Sequence, residues 1–326
     1  MRRILNIDSG RVMAVTDLHG NYPIYRQYRD HFLSLRAEGK ADIFLLCGDL
    51  IHSDGPEETD GSLDIMLDVI RLRSELGIGM AMLLGNHEMP HLYGITLGRG
   101  QHVYTPRFEK AMGGYRRDIV TFFDSLPFYA RTPAGISVTH TGASRAAAHA
   151  RKFNVLATYS HVAELAKVDE LLAGQDITSL RDGLGKMTGQ SYDEMVLENL
   201  GPEGLTPDRY DELLYGACVS AISDPFQLLW EALNNFNERE YGRAHYRMLV
   251  DSFLRNMSNG FATQRILLSG HVVVQGGHDI VAERQLRLAS HAHANPPESG
   301  EYLLFDAAQP INGVEDLLSG LGSIFH

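Results

Sequence analysis

The sequence predicts an α/β fold whose sheet is covered by helices, and three observations predict it. Apolar runs of strand length at residues 12–16, 43–47 and 80–84 are continuous rather than alternating, as in strands buried on both faces. Between them lie two helix-like segments, Tyr22–Ala37 and Ser62–Leu76, and in the second Leu63, Met66, Leu67, Ile70 and Leu76 recur at roughly helical spacing. Strand, helix and strand in alternation imply right-handed crossovers with helices packed on the sheet. Finally, these runs and two later ones, Ile136–Thr139 and Ile266–Ser269, each end in His, Asp or Asn. In such sheets ligands bind beyond the carboxyl ends of the strands.

Each element follows in order. Residues 12–16 run into Asp17-Leu18-His19-Gly20-Asn21, residues 43–47 into Gly48-Asp49, and residues 80–84 into Gly85-Asn86-His87-Glu88. Ile136–Thr139 leads to His140-Thr141-Gly142, and Ile266–Ser269 to Gly270-His271. Residues 144–235 are Ala- and Leu-rich, are broken at Gly174, Gly183, Gly185 and Gly201-Pro202, and read as a helical insertion or cap. Strands resume with a hairpin of residues 279–282 and 285–289 across Glu283-Arg284, then residues 302–305. A short helix is expected in the tail, residues 314–325. The expected organisation is one domain over 1–326, with 144–235 inserted in it.

Composition narrows the function. Of the 326 residues, 29 are Lys or Arg and 41 Asp or Glu, a net charge of −12 with no long basic run, which argues against binding a nucleic-acid duplex. Two cysteines, Cys47 and Cys218, cannot make a disulfide framework, and Cys47 sits in an apolar run as a small buried hydrophobe. Neither a signal peptide nor an apolar run of membrane-spanning length is legible. The expectation is a soluble, cytoplasmic protein without membrane association.

The strand ends gather carboxylate, imidazole and amide donors with no cysteine, which suits divalent cations of the Mg-to-Zn range rather than a thiolate zinc site. Taken singly, each residue is also a common turn or capping residue. Taken together, six side chains suffice for two ions if one carboxylate bridges them. Two ions about 3.5–4 Å apart clamp both the attacking and the leaving oxygen of an in-line displacement at phosphorus.

In their order along the chain, Asp17-Leu18-His19-Gly20-Asn21, Gly48-Asp49, Gly85-Asn86-His87-Glu88, His140 and Gly270-His271 resemble the calcineurin-like metallophosphoesterases. Glu88 and the stretch 270–277 are similar to the phosphoprotein phosphatase branch, as is Val281-Ala282-Glu283-Arg284-Gln285-Leu286. The likeness covers roughly residues 11–140 and 224–306. It implies a four-layer αββα fold, a β-sandwich flanked by helices. It also implies a metal-dependent phosphatase in which hydroxide derived from water between two metals attacks phosphorus directly. Mn is the first expectation for both ions, with Fe, Zn, Co or Ni as alternatives.

Carried over position by position, Asp17 and His19 would bind the first metal, Asp49 would bridge, and Asn86, His140 and His271 would bind the second. His87 would donate a proton to the departing alkoxide. Arg239 is the best match for a phosphate-binding arginine, with Arg243 the fallback. Two departures stand out. The superfamily has a second His two residues after the Gly-His, where this chain has Val273. The branch has Gly-Asp-x-Val-Asp-Arg-Gly where this chain has Gly48-Asp49-Leu50-Ile51-His52-Ser53-Asp54-Gly55. His52 therefore replaces the aspartate that orients the catalytic His, and either contacts substrate or leaves the orienting role to Asp54. His278, His291 and His293 fall where the family lines its pocket. His31, His91, His102, His149, His161 and His245 read as surface or packing residues.

The implied partner is a phosphorylated substrate, protein or small molecule. Residues 61–65 are also similar to bacterial diadenosine tetraphosphate hydrolases, so a dinucleoside polyphosphate hydrolase or phosphodiesterase is the alternative. A scaffold without catalysis is the third reading, and the retained ligand set argues against it.

Overall fold

Two mixed sheets packed face to face carry the site on their edges. The computed structural model describes residues 2–99 and 102–325. One sheet has the strand order Leu321–Gly322, Tyr302–Asp306, Arg11–Val15, Ile43–Leu46, Met80–Met82. Its last three strands are parallel, with Val12 opposite Ile43 and Phe44 opposite Met80. The other has the order Ile4–Asn6, Tyr129–Arg131, Ile136–Thr139, Ile266–Ser269, Gln285–Leu288, His278–Val281.

Alternation along each strand divides the apolar side chains between two cores. Val12, Ala14, Ile43, Leu45, Ile136, Val138, Ile266, Leu268, Leu286 and Leu288 meet between the sheets. Met13, Val15, Phe44, Leu46, Met80 and Met82 face the other way, packing with Tyr25, Phe32, Ile65, Val69 and Leu72 of the crossover helices Tyr22–Ala37 and Ser62–Leu76. Both faces are thus buried, which is why the runs are continuous rather than alternating. Helix Arg243–Ser258 buries Tyr246, Val250, Phe253 and Leu254 in that outer core with Tyr129 and Leu267 of the second sheet. The layers are helix, sheet, sheet, helix, as the resemblance implies.

From Arg145 to Leu233 every regular element is helical, from Arg145–Ala148 to Asp224–Leu233. One expectation needs correction. The tail forms a helix only over Glu315–Leu318; its continuation pairs as a strand, Leu321 opposite Leu303, because Gly320 and Gly322 do not sustain a helix. The short strands Ile4–Asn6 and Tyr129–Arg131, which pair in parallel, carry no continuous apolar run and were not legible in the sequence. No helix among the described residues is long and apolar enough to cross a membrane.

Candidate metal and catalytic site

Each ligand candidate sits on the first turn after a strand, and the backbone there is bent sharply. Asp17, His19, Asp49, His52 and His271 all have positive φ, between 42° and 71°. Non-glycine residues adopt this region at a cost of about 1–3 kcal/mol each, so its concentration at one place marks a functional site. The glycines before the ligands allow the turns to meet. A Cβ on Gly85 would fall 2.3 Å from Asp49 Oδ1, and one on Gly270 2.2 Å from Asp17 Oδ2.

Those turns bring three ligand-type groups together: Asp17, His19 and His293; His19, Asp49 and His87; and Asp49, His140 and His271. Within each, the donor atoms lie within 4.8 Å of one another. Asp49 Oδ2 is 3.1 Å from His140 Nε2, 3.8 Å from His19 Nε2 and 3.9 Å from His87 Nε2. Asn86 Oδ1 lies 2.9 Å from His140 Nε2. All six ligand residues expected from the sequence therefore converge, with Asp49 between the two halves.

The polar atoms facing the centre are buried without hydrogen-bond partners: Asp17 Oδ1, His19 Nε2, Asp49 Oδ2, His293 Nδ1 and both ring nitrogens of His271. Orphaned buried polar atoms are rare and costly. His293 Nδ1 and Asp17 Oδ1 are 3.1 Å apart but do not form an aligned hydrogen bond, as expected of two donors aimed at a shared cation. Opposite ring nitrogens are anchored: His140 Nδ1 lies 3.0 Å from the Cys47 carbonyl oxygen and His19 Nδ1 3.3 Å from that of His52. A proton on each Nδ1 leaves Nε2 as the ligand atom, the usual outer support of a metal-binding histidine. The donor set, oxygen and imidazole nitrogen without thiolate, fits two divalent cations.

Electrostatics agree. Burial pulls the His140 imidazole down, but Asp49 and Asp17 outweigh it and lift it to about 9. His293 is raised in the same way by Asp17 against its burial. Burial pushes Asp17 and Asp49 up, yet the imidazoles beside them hold both carboxyls below the usual range. Two buried carboxylates thus demand positive charge, which protons on imidazole or bound cations can satisfy.

Glu88 holds the Asp49 turn from behind. Its fully buried carboxylate accepts the backbone N–H groups of Asp49 at 3.0 Å, Leu50 at 2.8 Å and Gly85 at 3.1 Å. Burial and the charge of Asp49 raise it to about 7, against those hydrogen bonds.

His293 was expected only as a pocket-lining residue. The structure places it with Asp17 and His19 as a third ligand-type side chain. The sequence signal was faint, because His293 follows strand Gln285–Leu288 rather than the Gly270-His271 turn. Replacing His293 by Ala is expected to weaken binding of one metal by at least the roughly 10–100-fold that loss of an outer-shell partner costs. Metal titration against a competing chelator checks this, and unchanged affinity at both sites removes His293 from the set.

His52 differs most from expectation. It is 1% exposed, and both ring nitrogens are engaged, Nδ1 at 3.0 Å from His87 Nδ1 and Nε2 at 2.9 Å from His91 Nε2, leaving none for substrate. Tyr104 stacks on its ring at 5.5 Å and 9° and bonds its hydroxyl to Asp54. The ring that meets His87 Nδ1 is therefore that of His52 itself. His91, expected as a packing residue, continues to Glu109, with Nδ1 2.7 Å from Oε1. The other Glu109 oxygen accepts from Arg116 Nε at 2.6 Å and Arg209 Nη2 at 2.8 Å.

Burial would raise the Glu109 carboxyl, but His91 and Arg116 overcome it and hold it at about 2, against 4.5 ordinarily. A depressed carboxyl contributes stability that is present above the unfolded value and lost as pH falls through the folded one. Glu109→Gln is therefore expected to lower the stability of the metal-free protein by about 3 kcal/mol at neutral pH. That gap should narrow as pH falls from 4.5 toward about 2. Chemical denaturation across that range tests it; a gap independent of pH contradicts the assignment.

The remaining candidates lie at the rim. Arg239 is exposed and donates from Nη2 to the Val273 carbonyl at 2.7 Å, two residues beyond His271. Arg243 lines a separate cavity with Asp279 and Glu283. His291 joins His19, Asn21, Ser53 and Asp54 along a groove of about 450 Å³, and His278 pairs with Glu301 at 2.6 Å. Phe236, 54% exposed, leans over the His271 ring at 5.5 Å.

Comparison with known proteins follows this geometry. The calcineurin-like phosphoesterase family matches residues 10–203, which include Asp17, His19, Asp49, Asn86, His87 and His140. No curated protein matches the chain. Among solved structures, it is similar to a protein serine/threonine phosphatase from Saccharomyces cerevisiae at 15% identity and TM-score 0.48, covering 93% of this chain and 76% of that one. It is also similar to a cold-active protein-tyrosine phosphatase of a psychrophilic Shewanella species at 15% identity and TM-score 0.48, covering 94% and 78%. A metallophosphoesterase from Sphaerobacter thermophilus aligns at 11% identity and TM-score 0.33, covering 95% and 92%. Since the family match spans more than half of the sequence, the chain belongs to the calcineurin-like phosphoesterases and is a metal-dependent phosphatase.

Proposed function

We propose that the protein hydrolyses phosphomonoesters, of a phosphoprotein or a small molecule, at a two-metal centre shared through Asp49. The observation that carries this reading is the position of Asp49 Oδ2, buried without a hydrogen-bond partner and flanked by His140 on one side and His19 on the other. Asp17, His19 and His293 would hold one cation with Asp49; Asn86, His140 and His271 would hold the second. Cations bound there would neutralise the phosphoryl oxygens and supply a nucleophilic water near neutral pH.

The chain's own residues do the rest. His87 faces the shared carboxylate through Nε2; protonated there once the phosphate is bound, it donates that proton to the departing oxygen, which makes the alcohol a better leaving group. Arg239, at the rim beside His271, grips the phosphate with its planar fork of donors. Glu88 keeps the Asp49 turn from shifting as charge changes in the centre.

The test is a substrate panel on protein stripped of metal and reloaded with Mn, Co, Ni, Zn or Mg. Manganese is expected to restore hydrolysis of aryl monoesters and not of bis-aryl diesters. Faster turnover of diadenosine tetraphosphate than of any monoester would replace this reading with the polyphosphate one.

A further inference from the structure

Behind His87 a line of buried polar side chains runs away from the metal centre, and the reaction as described uses none of it. His52 Nδ1 meets His87 Nδ1 at 3.0 Å, His52 Nε2 meets His91 Nε2 at 2.9 Å, and His91 Nδ1 meets Glu109 Oε1 at 2.7 Å. His52 and His91 are each 1% exposed and Glu109 2%, so no water competes along the line. With one proton on each ring, hydrogen-bond parity fixes its direction. An ionised carboxylate only accepts, and Glu109 is bound on its other oxygen by Arg116 and Arg209. Hence His91 Nδ1 carries a proton and His91 Nε2 is the acceptor. His52 Nε2 must then donate, His52 Nδ1 must accept, and His87 Nδ1 must donate.

We infer that His52, His91 and Glu109 form a positioning relay that keeps the proton on His87 Nδ1, so that His87 exchanges its proton only at Nε2. This deepens the proposed function and rests on His87 being the proton donor. With the phosphate bound, Nε2 takes a second proton from solvent; when the leaving oxygen takes that proton, the P–O electron pair stays with that oxygen and His87 returns to the neutral ring with Nδ1–H retained. A ring free to hold the other tautomer would present the wrong nitrogen, which in a catalytic triad is very costly. The carboxylate that ends the line, Glu109, lies two rings beyond His87. The helical region contributes to the same line. Arg209 bonds Glu109 at 2.8 Å and Glu212 at 3.0 Å, and Arg116 bonds Glu212 at 2.9 Å. Residues 144–235 therefore hold the carboxylate that terminates the relay.

The decisive substitution is at His91. In His91→Gln the amide can donate to Glu109 and its carbonyl can accept from His52, preserving parity. In His91→Leu both bonds are lost, although leucine suits the contacts with Phe108 and Phe123 at least as well. With the manganese-loaded protein, His91→Leu is expected to lower kcat for phenyl phosphate by at least about tenfold and for 2,4-dinitrophenyl phosphate by less than about threefold, because only the poor leaving group needs the proton. KM and metal stoichiometry should not move, and His91→Gln should recover most of the loss. Independently of activity, long-range 1H–15N spectra of the metal-free protein should show His87 and His91 protonated on Nδ1 and His52 on Nε2.

Equal rates for His91→Leu and His91→Gln, losses independent of the leaving group, or the opposite tautomer at His52 overturn the relay. His87→Asn separates the two layers. If it steepens the leaving-group dependence while His91→Leu does not, the relay alone falls. If neither does, the assignment of His87 falls and the relay with it.

Discussion

Replacing Asp49 by asparagine is expected to remove roughly a thousandfold or more of kcat, about 4 kcal/mol in the barrier, while leaving the fold intact. The substitution is nearly isosteric, and the retained side-chain oxygen still accepts the His87 backbone N–H that Oδ1 receives at 3.0 Å. What disappears is Oδ2, the one carboxylate oxygen within 4 Å of His19, His87 and His140. In its place stands an amide N–H₂ that donates and cannot ligate. Each half of the centre then loses a ligand and a negative charge at once, so metal stoichiometry should fall from two per chain and not merely the rate. The two readings separate in the metal-loaded protein. If Asp49 were only a turn residue, asparagine, which also favours such turns, would preserve turnover. Elemental analysis with single-turnover kinetics decides the matter, and full activity with two ions bound would end the two-metal reading.

Why six candidate ligands were legible and a seventh was not follows from how the chain reaches the proposed centre. Asp17, Asp49, Asn86, His140 and His271 each follow an apolar run directly or after one residue of turn, and His19 lies two residues beyond Asp17. A continuous apolar run thus announces every one of them. His293 comes from the loop after Gln285–Leu288, in the other sheet from Asp17. Only the packing of the sheets brings it within 3.1 Å of that carboxylate. The relay was illegible for a related reason. His52 could be read as a replaced aspartate, but its partner His91 lies 39 residues on, and Glu109 is on helix Thr105–Met112. A lone His in an apolar stretch says nothing of which nitrogen it offers. The buried partners each nitrogen meets decide that. The short strands Ile4–Asn6 and Tyr129–Arg131 escaped because tertiary context, not local pattern, makes them strands.

His87→Asn is expected to cost about 10²–10⁴ in kcat on a monoester with a poor leaving group, and much less on one whose departing phenolate needs no proton. The geometry leaves His87 one free function. Its backbone N–H is spent on Asp49 Oδ1 and its Nδ1 on His52, so only Nε2 faces the centre, 3.9 Å from Asp49 Oδ2. Its ring meets that of His19 edge-on at 4.6 Å, which fixes the direction in which Nε2 points. Burial pushes the free imidazole down to about 3 against the pull of Asp49, so in the resting site it is neutral. A bound phosphate dianion brings negative charge against Nε2 and raises its proton affinity when the proton is needed. His87 could instead be a metal ligand, since it also groups with His19 and Asp49. Metal titration tells the two apart. A proton donor can be lost with both ions still bound and KM little changed, whereas a ligand cannot. Loss of an ion in His87→Asn, with an equal rate deficit on every leaving group, would move His87 from proton transfer to metal binding.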